Sequence, residues 1–186
     1  MLTKETFNKK LEEITFLWNR KDFDGALGVV DDIVLNGDPK MQAQGQFFGG
    51  MILKDKGLPE NARQFWLDAI PKATNQSYIL YLLQYNIGFS FQDEGLTEKA
   101  AFWYRSALQT CVTGDEFSGD QALTSLLLLL GGQIPKDDEA LVIDAIEKSW
   151  RVLELPGMSD LTDIPNAIAK LNEGFSNLLA KTLEET

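Results

Sequence analysis

The sequence predicts an all-α fold, and three observations carry that prediction. Leucine occurs 27 times against 6 valines, a balance that favours helix over strand. No stretch alternates apolar and polar residues with the period of two that a half-buried strand requires. The six prolines fall where helices would start or stop.

Nine helices follow in order. The first two, about 3–20 and 23–36, are separated by the turn Arg20-Lys21-Asp22. The third, about 39–56, opens on Asp38-Pro39, a capping acid followed by proline at the first helical position. Gly57-Leu58-Pro59 stops it and starts the fourth, about 59–73. The fifth and sixth run over about 77–94 and 97–111. Ser118, with Gln121 three residues on, fits a capping box and opens the seventh, about 118–131, which Gly131-Gly132 stops. Its Ser125–Leu130 stretch is apolar nearly all round, which predicts a helix sandwiched between others. The eighth, about 137–154, ends before Leu155-Pro156-Gly157. The ninth, about 163–184, keeps Ile164, Ile168, Leu171, Phe175, Leu178 and Leu183 on one face. Asn36-Gly37 and Asp24-Gly25 sit in helix-like surroundings rather than between strands.

Composition bounds the function. A chain of 186 residues reads as a single domain over 1–186 with room for a sizeable core. Its net charge of −11 repels a nucleic-acid duplex and an anionic membrane, and no basic patch offsets it. Histidine is absent, which removes histidine general bases, His-paired nucleophiles and His metal sites. A lone cysteine, Cys111, excludes an intrachain disulfide and reads as a small half-buried apolar residue. Met1–Leu17 mixes charged with apolar residues, unlike a signal peptide. The longest apolar run, Leu126–Leu130, is far too short to cross a bilayer, and a cytoplasmic location is expected.

Three segments repeat one pattern: Arg20-Lys21-Asp22-Phe23-Asp24-Gly25-Ala26-Leu27, Lys56-Gly57-Leu58-Pro59-Glu60-Asn61-Ala62-Arg63 and Glu94-Gly95-Leu96-Thr97-Glu98-Lys99-Ala100-Ala101. Each is a tight turn and the first turn of a helix, with alanine at one fixed place. A fourth, fainter copy runs from Pro135 to Leu141 and carries Ala140. Successive alanines (26, 62, 100 and 140) are spaced by 36, 38 and 40 residues. A small side chain there lets two antiparallel helices approach near their turn. A bulky residue follows four positions later at Val30, Trp66 and Tyr104, then a second small residue at Ala69 and Ala107, with Ile33 in that place in the first copy. Glycine marks the crossing in the preceding helix at Gly50 and Gly88.

This pattern resembles the tetratricopeptide (TPR) repeat family. The best match is Asn86-Ile87-Gly88, Phe91, Gly95, Ala100, Tyr104 and Ala107-Leu108, and the next is Gly49-Gly50, Leu53, Gly57, Ala62, Trp66 and Ala69-Ile70. The resemblance implies a right-handed α-solenoid of about four TPR-like helical hairpins, over about 7–40, 43–76, 81–114 and 118–155, plus a C-terminal capping helix at 163–184. It further implies a concave groove lined by Leu11, Thr15, Trp18, Phe47, Met51, Lys54, Leu82, Tyr85, Phe89 and Gln92. Such a surface suits an apolar peptide or an amphipathic helix. The plainer reading is that some of these aromatics are core, or that the last helix fills the groove. The carboxylate clamp of one TPR subtype is not expected. Its places are held by Leu11, Thr15, Phe48, Leu82 and Asn86, which offer a carboxylate no cation.

Chemistry is sparse. Asp22-Phe23-Asp24-Gly25 starts like a calcium loop, but Ala26, Gly28 and Val30 supply no side-chain ligands. The acid pairs Glu12-Glu13, Asp31-Asp32 and Asp137-Asp138 read as solvated charges, and the Gly114–Asp120 linker as a solvated acidic loop. No cofactor, metal or catalytic residue is expected. The expected function is a non-enzymatic protein–protein interaction module, an adaptor or scaffold with a protein or peptide partner. Self-association is open to it; nucleic-acid binding and membrane insertion are not expected. A secretion-type TPR chaperone for an apolar client segment is the alternative, on size and acidity. An atypical enzyme without histidine comes third.

Overall fold

Helices make up all the regular secondary structure of the computed structural model among its described residues, which are 1–114, 117–154, 164–171 and 173. The helices are α1 (Lys4–Asn19), α2 (Phe23–Asn36), α3 (Pro39–Asp55), α4 (Pro59–Ala69), α5 (Ser77–Asp93), α6 (Thr97–Thr113), α7 (Asp120–Leu129) and α8 (Glu139–Val152), and 164–171 are also helical. The chain divides into two compact units, Met1–Ser90 and Phe91–Thr186. Among the described residues no helix is long and apolar enough to cross a membrane.

Local chemistry sets the helix ends. Thr3, Asp22 and Asp38 each accept a backbone N–H from three residues on, at 3.2, 3.0 and 2.8 Å. Three turns close in the same way. A left-handed residue stands at Lys21 (φ 61°), Gly57 (φ 83°) and Gly95 (φ 72°). The N–H of the residue after it reaches back to Leu17, Leu53 and Phe91 O at 3.0, 2.9 and 2.9 Å. Glycine occupies that conformation without steric penalty; Lys21 bears it at a cost of about 1 kcal/mol.

In the first unit α1 packs on α2, α2 on α3 and α3 on α4. One core cluster holds Phe7, Ile14, Ala26, Val30, Ile33 and Ile52. The close face of α3 is made by glycines. A Cβ added at Gly45 would lie 2.7 Å from Ile33 Cγ2, and one at Gly50 2.1 Å from Trp66 Nε1. Trp66 is fully buried in the space so vacated, and its indole N–H donates to Phe47 O at 3.1 Å. Burying an aromatic of this size against matched neighbours contributes about 3 kcal/mol or more.

In the second unit α6 packs against α7 and α8. Ala100, Tyr104, Ala107, Leu108 and Cys111 of α6 are fully buried, as are Leu126 of α7 and Val142, Ala145 and Ile146 of α8. Arg105 grips Asp138 with two N–H groups, Nε on Oδ1 at 2.8 Å and Nη2 on Oδ2 at 2.7 Å, and so ties α6 to the 3-10 turn that precedes α8. The Ser149 hydroxyl accepts Gly119 N–H at 2.8 Å, and Lys148 Nζ donates to Gly114 O at 2.7 Å.

Ala26, Ala62 and Ala100 are fully buried, and so are the bulky residues Val30, Trp66 and Tyr104 four positions on. The structure corrects several expectations. Ala140 is exposed, because the 3-10 turn Lys136–Asp138 rotates the start of α8, and Ala145 is the buried alanine instead. The fourth helix does not run to 73: Pro71 has no N–H to donate, and the chain passes into a 3-10 turn at Ile70–Lys72. The Ser118 capping box does not form. Gly119 is the N-cap, and Ser118 Oγ instead donates to Asp120 Oδ1 at 2.6 Å. The seventh helix is buried on one side only, with Leu128 69% exposed. Of the last helix, Ala167, Ile168 and Leu171 are buried while Asn166 and Lys170 are exposed. Phe175, Leu178, Lys181 and Leu183, and Asp115 and Glu116 of the acidic linker, lie outside the described residues.

Candidate functional site

The residues expected to line a groove come from α1, α3 and α5, and all but Gln92 belong to the first unit. On α5 the spacing of four residues, close to one helical turn, puts Tyr81, Tyr85 and Phe89 in a column. Their rings stack, Tyr81 on Tyr85 and Tyr85 on Phe89, each pair with centroids 6.3 Å apart. Tyr81 is buried, whereas Tyr85 and Phe89 are half-buried. From α3, Lys54 reaches this column and sets its ammonium 3.7 Å from the Phe89 ring centroid. That contact is worth about 0.5–2 kcal/mol, and it holds the ends of α3 and α5 together.

Phe47 and Met51 lie on α3, with Met51 one residue short of a turn before Lys54, and both are half-buried. The Phe47 ring meets Phe48 edge to face at 5.4 Å. Leu82 is half-buried, and its carbonyl accepts the Asn86 amide at 2.8 Å. Leu11 and Trp18 pack half-buried against the α1–α2–α3 cluster. Trp18 Nε1 donates to Asp55 Oδ2 at 2.8 Å. Thr15 is exposed and donates to Leu11 O at 2.9 Å. Gln92 stands in the second unit, where its Oε1 accepts the Tyr104 hydroxyl at 2.6 Å. The contacts therefore bring Lys54, Tyr85 and Phe89 together, with the Lys54 ammonium turned onto the Phe89 ring. Leu11 and Trp18 pack against the core of the first unit, from which Trp18 also reaches Asp55. Asn86, the amide among the clamp positions, is buried and turned onto its own helix.

Two contributors escaped the sequence reading. Tyr81 follows from the spacing of four that also relates Tyr85 and Phe89. Asp55 carries no local signal, since its partnership with Trp18 spans 37 residues.

Several of the acids singled out in the sequence have structural partners, and the cysteine is buried. Asp22 caps α2, and Asp24 pairs with Lys56 at 2.5 Å. Asp32 pairs with Lys10 at 2.5 Å, and that bond holds its carboxyl below the usual carboxylate range. Asp138 is held by Arg105. Cys111 is fully buried, and burial pushes its thiol up to about 11, so it is protonated near neutrality. Among the described residues no group of three or more acids or cysteines is placed to hold a metal ion. No protein-family model, no curated protein and no solved structure matches the chain.

Proposed function

We propose that this chain is a non-enzymatic protein–protein interaction module, an adaptor or scaffold of the TPR type. On this reading its hairpins form a right-handed α-solenoid and present the α3–α5 face to a peptide or helix of a partner. The observation that carries the reading is the half-buried Tyr85–Phe89 stack beside Lys54, with Phe47, Met51 and Leu82 on the same two helices. Fixed aromatic rings are efficient anchors because they offer large contact area for little rotamer entropy. Met51 adds an adaptable surface. Apolar area removed from water there contributes about 25 cal/mol per Å² before ordering costs. The buried alanines of three turns, each followed by a buried bulky residue, support the TPR-like reading of the scaffold.

Replacing Tyr85→Ala together with Phe89→Ala tests the proposal. Partner recovery from the native host, quantified by mass spectrometry, is expected to fall at least about tenfold, as for loss of hot-spot residues. The thermal midpoint is expected to fall by no more than about 10 °C, because both rings are half-buried and the losses are the Lys54 contact and the ring stacks. A collapse of stability would show that the rings serve the core; unchanged recovery would place the interaction elsewhere.

A further inference from the structure

Resting on the docking face just proposed, the chemistry of its occupant can be read from Asp55. This residue ends α3, next to Lys54, and its side chain is exposed. Its Oδ2 accepts the Trp18 indole N–H at 2.8 Å. An indole is a neutral donor, so the bond leaves the carboxylate charge uncancelled. The two cations flanking Asp55 in sequence are directed elsewhere. Lys54 Nζ sits 3.7 Å from the centre of the Phe89 ring, and Lys56 Nζ bonds Asp24 Oδ1 at 2.5 Å. An exposed carboxylate of this kind is suited to a guanidinium, which donates two N–H groups to its oxygens. The net charge of −11 acts in the same direction, drawing cationic segments in and turning anionic ones away.

We propose that the occupant is a cationic amphipathic segment of a partner protein. Its apolar residues lie on Met51, Tyr85 and Phe89, and an Arg or Lys sits on the Trp18–Asp55 pair. Three fluorescein-labelled helical peptides test this on the full chain by anisotropy. They share one Leu/Phe face and carry four Arg, four Gln or four Glu on the other. At low salt the Arg peptide is expected to bind at least about tenfold tighter than the Gln peptide, and the Glu peptide weakest, with the differences shrinking in 0.5 M NaCl.

Asp55→Asn keeps an acceptor for Trp18 and removes only the charge. It should weaken the Arg peptide about threefold and leave the Gln peptide unchanged. Equal binding of Arg and Gln peptides, tighter binding of the Glu peptide, or no effect of Asp55→Asn on the Arg peptide would overturn the proposal. Tyr85→Ala with Phe89→Ala separates the two levels, because it should weaken the Arg and Gln peptides alike. If that variant binds both as the parent does, or if the parent binds none of the three, the docking face itself is refuted, and the charge preference with it.

Discussion

Gly50 and Gly28 are both helical glycines, yet the structure predicts opposite outcomes when each becomes alanine. At Gly50 a new Cβ would lie 2.1 Å from Trp66 Nε1, 2.5 Å from Cε2 and 2.6 Å from Cδ1. Ordinary contact between such atoms is about 3.5 Å, so α3 and α4 must separate by more than an ångström or the indole must leave its place. Trp66 is fully buried, and any shift also strains its bond to Phe47 O. Overpacking of this kind costs about 1–3 kcal/mol, and the lost hydrogen bond adds about 1 kcal/mol. Alanine returns about 1 kcal/mol of helix propensity. The expected net loss for Gly50→Ala is therefore about 1–3 kcal/mol. Gly28 has nothing within 4 Å of its virtual Cβ, so Gly28→Ala should gain about 0.5–1 kcal/mol. Urea denaturation followed by helical circular dichroism measures both. A double-mutant cycle of Gly50→Ala with Trp66→Leu should show strong coupling, since the smaller side chain relieves the overlap. If Gly50→Ala matches or exceeds the parent in stability, close helix approach at that glycine is not what organises the α3–α4 pair.

The remaining predictions concern the turns and the thiol. Lys21→Gly should raise stability by about 1 kcal/mol and Gly57→Ala should lower it by a similar amount, because both positions are left-handed; equal signs in thermal melts would refute the turn geometry. Cys111 should resist a thiol reagent in the native protein and react at once in denaturant. Its raised pKa also sets a pH dependence. The unfolded thiol ionises near 9 and the folded one near 11, so stability is fully present below pH 9 and falls as pH rises toward 11, by up to about 2 kcal/mol. Cys111→Ala should flatten that part of the profile; an unchanged slope would assign the loss to other groups.

Most of the fold was legible because its signals are local. Asp38-Pro39, Gly57-Leu58-Pro59 and Gly131-Gly132 mark ends within a few residues of those observed. The recurrent alanines pointed to close contacts that the first three turns make. Local signals also misled where two of them competed. Pro71 outweighs the apolar period that runs through it, and Gly119 displaces Ser118 as the cap of α7. At Ala140 alanine recurs without its surroundings, since a 3-10 turn shifts the register. The site was less legible. The Tyr85–Phe89 column follows from spacing alone, but Lys54 over Phe89 and Trp18 on Asp55 depend on how separate helices line up, which no short-range pattern encodes.

In the first unit α1 meets α2, α2 meets α3 and α3 meets α4, each across a link of two or three residues. Closing such short links surrenders little chain entropy, and each new contact lies near in sequence to one already made. The N-terminal unit is thus suited to assembling progressively from one end as the polypeptide leaves the ribosome, with no need to wait for distant segments to arrive.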